Sequence, residues 1–315
     1  MRDTLIGLVV VIIAVSLAFV ASDYRLFQLT TVAIYAIAIL GLALVTGYNG
    51  QISLGHGAFY AVGAYVTAIL TSMYDVPYWA TLPVSAVVCA AIGFLVGLPA
   101  LRLGGLYLAL TTFALAVATP QLLKHKALEH WTGGVQGIVV DKPDAPFGLP
   151  INADQWVYLF SIAVAAVLFA LAGNLVRGRI GRAMRAVRDN ALAAEATGID
   201  VALFKTRTFA VSALVTGIAG SLSAIVVGFV SPDSFTVFLS ITLFTGLVVG
   251  GAATIAGPIF GAMFITFLPN LAEQVSKAAP GVIYGVLLIA FMFLLPAGVA
   301  GGLNRLHRRR PAPQP

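Results

Sequence analysis

The feature that most constrains this chain is a succession of apolar stretches, each close to the roughly 20 residues that a helix needs to cross a lipid bilayer. Ten stretches can be marked: Thr4–Ala21, Leu26–Thr46, Leu54–Ser72, Trp79–Ala100, Leu106–Leu123, Trp156–Val176, Thr208–Val230, Val237–Val249, Gly257–Val275 and Val282–Pro296. Val237–Val249 is short, so a count of eight or nine stays open. The remainder is too poor in charge to coat a water-soluble fold. Charged residues make up 10% of the 315 and hydrophobic residues 60%, against about 25% and 45–50% in soluble domains. The expected fold class is therefore all-α, a polytopic α-helical membrane protein with about ten transmembrane helices and lipid around most of its surface. The first stretch outlasts a signal-peptide core, has the weakly basic head Met1-Arg2-Asp3 and lacks a small-x-small cleavage site, so it reads as a retained span. Cys89 is the single cysteine, which excludes an intrachain disulfide and a cysteine metal site.

Lys and Arg set the orientation, because short cytoplasmic loops concentrate them. Arg177, Arg179, Arg182, Arg185, Arg188, Lys205 and Arg207 fall in one loop, and Arg305, Arg308, Arg309 and Arg310 in the tail. Four spans separate the two clusters, and six precede the loop, which places both termini inside. On this topology the inside holds 13 basic and 4 acidic residues and the outside 5 and 8, closing on the net charge of +6. The basic balance thus reports membrane orientation and excludes nucleic acid as the expected partner.

One membrane domain, residues 1–302, is expected, with an external segment over 124–155, an internal loop over 177–207 and a basic tail over 303–315. Two glycine-rich interruptions stand out. Thr46-Gly47-Tyr48-Asn49-Gly50-Gln51-Ile52-Ser53-Leu54-Gly55-His56-Gly57 places glycines and polar groups between two spans, and Gly250-Gly251-Ala252-Ala253-Thr254-Ile255-Ala256-Gly257 opens a later one. Broken helix at membrane depth is tolerated only where protein or a cavity surrounds it, and paired interruptions point to a transport site. Whether the two interruptions reflect an internal duplication is left open by their loose likeness. Gly50, Gly55, Gly57, Gly250, Gly251 and Gly257 are the structural glycines of this reading.

The internal loop reads as a docking element. Arg179, Arg182, Arg185 and Arg188 recur every three residues, which suggests one side of a helix. Asp189 or Asn190 can cap a second helix over Ala191–Thr197, Gly198 suits the left-handed position after it, and Asp200 can cap the next span. A topology anchor lying on acidic headgroups is the plain alternative. The second helix, however, is rich in alanine with Glu195 as its one charge, which suits a protein cleft better than a lipid surface.

Pathway candidates are Asn49, Gln51, Ser53 and His56 at the first interruption, and Tyr107, Thr111 and Thr112 along one helix; polar groups inside a membrane are functional candidates. Packing of the broken helix, and Thr bonding to its own backbone, are the competing roles. No Asp or Glu sits mid-span, which weakens ion-coupled transport. His125, His130 and His307 lie away from His56, so no metal is expected, and no cofactor either. The chain lacks a G-x-x-x-x-G-K-[ST] loop, H-E-x-x-H and G-x-S-x-G, so neither ATP binding nor intramembrane hydrolysis is expected here.

Several blocks resemble one family. Thr46 through Phe59, Gly105-Leu-Tyr-Leu-Ala-Leu-Thr-Thr112, Thr132-Gly-Gly-Val-Gln-Gly-Ile138, Gly181–Asp200, Ser231-Pro-Asp-Ser-Phe235 and Gly250–Gly261 together are similar to the LivM-type (with LivH) permeases of branched-chain amino-acid ABC importers. Val135-Gln136 departs from the small polar or acidic pair common there. The resemblance implies a transport subunit without enzyme activity, working in the bacterial inner membrane by alternating access. Its expected partners are a second, LivH-like permease, two cytoplasmic ATPase subunits and a periplasmic substrate-binding protein. It also implies an EAA-type coupling segment, with Arg182, Arg185, Arg188, Asp189, Ala194, Glu195, Ala196 and Gly198 at the ATPase. Urea, short amides or aromatic acids are alternative cargoes, and a stand-alone secondary transporter is the alternative class.

Overall fold

The computed structural model describes residues 12, 14–100, 105–146, 150–275, 280–294 and 297–302. Most of the expected span Thr4–Ala21, and the basic tail over 303–315, lie outside the described residues. Helices dominate in this order: α1 (Asp23–Leu42) continuing as a π-helix (Ala43–Tyr48), α2 (His56–Tyr74), α3 (Tyr78–Ala100), α4 (Leu106–Leu123), the short α5 (Glu129–Thr132), α6 (Ala153–Arg177), α7 (Arg179–Asp189), α8 (Ala191–Ala196), α9 (Val201–Val227), α10 (Val237–Gly250), α11 (Gly257–Val275) and α12 (Pro280–Leu294). Five of them, counting α1 with its π-helical end, are long and apolar enough to cross a membrane: α1, α2, α3, α6 and α9. Shorter apolar helices include Tyr107–Leu123 and Val237–Gly250. An all-α polytopic membrane protein results.

The core is built around α1 and α9, whose most apolar windows are 78% and 67% buried, against 28% for the peripheral α6. Lipid is as apolar as leucine, so helices in a membrane gain by close packing of small residues rather than by leaving water. This chain packs that way. A Cβ added at Gly63 of α2 would stand 2.0 Å from the Gly217 carbonyl oxygen of α9, closer than any real contact. Along α3 and α9, which run antiparallel, Gly97 faces Thr206, Gly93 faces Ala213, and the Ser221 hydroxyl donates to Ser85 Oγ at 2.5 Å.

Contacts sort the loops into two ends. At one, β1 (Ile138–Val139) pairs antiparallel with β2 (Phe229–Val230), in register Ile138↔Val230 and Val139↔Phe229. A Lys124–Asp233 ion pair at 2.5 Å closes the same end. At the other, Gly47 abuts Ala252, Gly251 abuts Ala297, and Arg188 reaches Gly47. These groupings are the ones that alternating spans demand.

Three features differ from expectation. Helix α9 begins at Val201, seven residues ahead of the apolar stretch from Thr208, at the cap expected of Asp200, whose carboxylate accepts from the Leu203 amide at 2.9 Å. Lys205 and Arg207 therefore sit in its first turns, and its 27 residues reach ~40 Å, beyond a ~30 Å hydrocarbon core. The first interruption is preceded by a π-helix rather than a plain α-helical end. The segment over 124–155 holds a β-ribbon that joins it to residues almost a hundred positions away, a pairing with no local sequence signal.

Candidate functional site

The first interruption forms the polar centre of the molecule. As α1 ends, its π-helical turn leaves carbonyls without the usual partners, and those of Val45 and Gly47 are met by Gln51 and Arg188. The Gln51 amide N–H donates to the Val45 carbonyl at 3.0 Å, and the Thr46 hydroxyl to the Gln51 carbonyl at 2.9 Å. From Gly50 the chain runs inward: Gln51 Nε2 bonds the Lys205 carbonyl near the start of α9, whereas His56 lies beside Ser212, near that helix's midpoint. Segment 50–55 is thus a re-entrant strand of irregular backbone, and α2 begins deep in the helix bundle. There its first turn meets that of α10, where the Gly57 amide donates to Ser240 Oγ at 2.9 Å.

His56 ties this centre together. Ser212 Oγ donates to the Gly41 carbonyl at 2.6 Å, so it accepts from His56 Nε2–H, also at 2.6 Å. The proton is thereby on Nε2, and Nδ1 accepts from the Ser53 hydroxyl at 3.0 Å. The ring is 1% exposed and meets Phe59 and Phe209 edge-on, with centroids 5.8 and 6.1 Å apart. Thr112 Oγ1, fully buried, accepts from the Leu54 amide at 3.0 Å and so fastens α4 to the same segment.

The second assembly lies at the basic end. Helix α7 buries Gly181, Met184 and Val187 and is followed by α8, whose Asn190 cap accepts from the Ala193 amide at 3.0 Å. Gly198 takes φ +88°, and Asp200 caps α9. The four arginines do not share one side. A three-residue step in a helix of 3.6 residues per turn drifts by about 60°, so Arg188 lies half a turn from Arg179. Arg182 is exposed, Arg185 Nη1 bonds the Val176 carbonyl at 3.3 Å, and Arg188 Nη1 bonds the Gly47 carbonyl at 3.1 Å.

Comparison with known proteins agrees with this architecture. The family model described as "Branched-chain amino acid transport system / permease component" matches residues 24–295. The chain belongs to that family. It is 31% identical to the high-affinity branched-chain amino acid transport system permease protein LivM of Salmonella typhimurium, over 95% of this chain and 75% of that protein. LivM of Escherichia coli is 30% identical over the same shares. Permease protein BraD of Pseudomonas aeruginosa is 26% identical over 87% of this chain and 93% of its own length. No solved structure matches. The chain is a multi-pass membrane transport subunit, not an enzyme.

Within this permease the residues singled out by sequence fall into three settings. Asn49, Gln51, Ser53, His56 and Thr112 are all buried and packed against other helices. Tyr107 is 68% exposed on the outer face of α4, and the Thr111 hydroxyl donates back to the Tyr107 carbonyl at 2.9 Å. Of the loop residues, Asp189, Glu195, Ala196 and Gly198 are exposed, but Ala194 is buried against its own chain. Gly50 needs its lack of side chain twice over, for φ +73° and for the Arg188 stem lying across it. Gly55 and Gly57 admit Thr112 and Ser240, while Gly250, Gly251 and Gly257 pack backbone on backbone in the second interruption.

Sequence reasoning missed Ser212, Ser240, Gly47 and Leu192. Ser212 carried a signal: Ser212, Thr216 and Gly220 repeat at helical spacing in an apolar span, as a polar inner face does. Leu192 carried one too, as the large apolar residue in an alanine helix, and it is 79% exposed.

Proposed function

We propose that this permease carries branched-chain aliphatic amino acids into the cell as one of two permease subunits in an ATP-driven importer. Its α7–α8 element seats in a cytoplasmic ATPase, the basic end faces the cytoplasm, and the ribboned end meets a periplasmic binding protein. The carrying observation is α8 itself: a six-residue helix fixed at both ends, offering Leu192, Ala193, Glu195 and Ala196 outward at the basic end. An exposed leucine among alanines is the kind of anchor that fills a pocket in another protein. The reading is supported further by the packed centre. Because His56, Phe59 and Phe209 fill the middle of this chain, solute passes along its outer face, where Tyr107 and a second permease complete the path.

The test uses the permease reconstituted with its sister permease, ATPases and binding protein. Glu195→Lys reverses the one charge of α8, and Gly198→Pro demands a negative φ where the chain has +88°. Both are expected to abolish ATP-dependent leucine uptake while the protein still inserts in the membrane. Normal uptake by both variants refutes the coupling role, and uptake without any ATPase points to a secondary transporter. Retention of urea, a short amide or an aromatic acid, rather than leucine, by the cognate binding protein would reassign the cargo.

A further inference from the structure

Arg188 has a place in the structure that docking on another subunit does not explain. Its aliphatic stem lies across Gly50, close enough that a Cβ there would come 2.7 Å from Arg188 Cγ. Its Nη1–H donates at 3.1 Å to the Gly47 carbonyl, in the π-helical turn where α1 breaks. Asp189 Oδ1 holds the guanidinium from the other side by accepting from Nε at 2.9 Å. A rigid fork between a carbonyl and a carboxylate fixes both position and direction. The arginine thus joins α7, the helix that carries α8, to the irregular backbone that leads to His56.

A second observation comes from Asn49, between Gly47 and Gly50. It is 1% exposed, and neither its Nδ2 nor its Oδ1 meets a hydrogen-bonding partner among the described residues. An amide buried in this way disfavours the arrangement that holds it, unlike the satisfied His56 network nearby. Asn49 therefore leaves the interruption without the side-chain anchoring that His56 has, so Arg188 is its link to α7.

We infer that Arg188 is the transmission residue of the permease: it makes α7 and the interruption at Gly47–Gly50 move as one body, so that displacement of α7 reshapes the broken helix. This rests on the coupling of α7–α8 to ATPase subunits proposed above. Arg188 is a positioning residue that touches neither solute nor nucleotide.

The test compares Arg188→Gln and Arg188→Lys with the unaltered chain in the complete importer, reading ATPase copurification, ATP hydrolysis and leucine uptake. Both variants should copurify the ATPases and hydrolyse ATP as before, and for Arg188→Gln uptake per ATP should fall about tenfold or more. Loss of ATPase binding would instead make Arg188 a docking residue, and an unchanged uptake-to-hydrolysis ratio would leave it no role in transmission; either overturns the inference. If neither variant inserts, spin labels at Ile52→Cys and Ile180→Cys, with Arg188 intact, decide. Their separation should stay constant between nucleotide-free and ATP-bound states while that between Ile180→Cys and Tyr74→Cys changes. A change in the first distance overturns the inference. If the unaltered chain binds no ATPase, the underlying functional reading fails first, and the inference with it.

Discussion

His56 shows how much a single residue here depends on others far away in sequence. Its two ring nitrogens join the interruption at Ser53 to α9 at Ser212, which passes the chain of donors on to Gly41 of α1. Removing Ser212 leaves the Nε2–H and the Gly41 carbonyl each short of a partner in a dry setting. Ser212→Ala should cost about 1–3 kcal/mol, read as a lower thermal midpoint of the purified protein in detergent; an unchanged midpoint would show that the network stabilises nothing. His56 was visible in the sequence as a polar group between two spans. That it is held between Ser53 and Ser212 was not, because nothing local to Gly55–Gly57 says which part of α9 will lie across it.

At the scale of elements, the apolar stretches and caps were legible because each is a local property. Observed helices follow the expected spans to within a few residues except at the start of α9, and Asn190, Gly198 and Asp200 take their expected capping positions. The π-helical turn and the β-ribbon were not legible, since each is decided by partners more than a dozen positions away. The arginine spacing was legible but misread: steps of three keep neighbours together and carry the fourth to the other side. Helix packing makes a prediction of its own. Gly63 presses on the Gly217 carbonyl, whereas Gly173 of the peripheral α6 has nothing among the described residues within 4 Å of where a Cβ would stand. Gly63→Val should destabilise by about 1–3 kcal/mol or more, enough to reduce the yield of folded protein. Gly173→Ala should be tolerated, with a gain of up to ~1 kcal/mol from helix propensity. Equal effects of the two substitutions on the thermal midpoint would contradict the packing described.

For the whole molecule, the sequence leads one to expect loops alternating between two sides, and contacts among the described residues gather several of them into two groups. Val139 beside Phe229 belongs to one end; Gly47 beside Ala252, and Arg188 above them, to the other. On the reading proposed above, charge orients the assembly with the basic end inward. A membrane-impermeant maleimide should therefore label Val135→Cys only from the outer side of intact cells, and Ala196→Cys only after the inner side is opened; the reverse pattern would invert the topology. Native Cys89, being buried, gives no background. Between the two ends, α9 runs through 27 residues without a break. At its first residue it is fixed by the Asp200 cap next to α8, and at its last it passes through Gly228 into the ribbon. A continuous hydrogen-bonded helix held at both ends joins the two membrane faces through a single element. In the importer proposed above, a docked binding protein and a bound nucleotide would share this one helix as their line of communication.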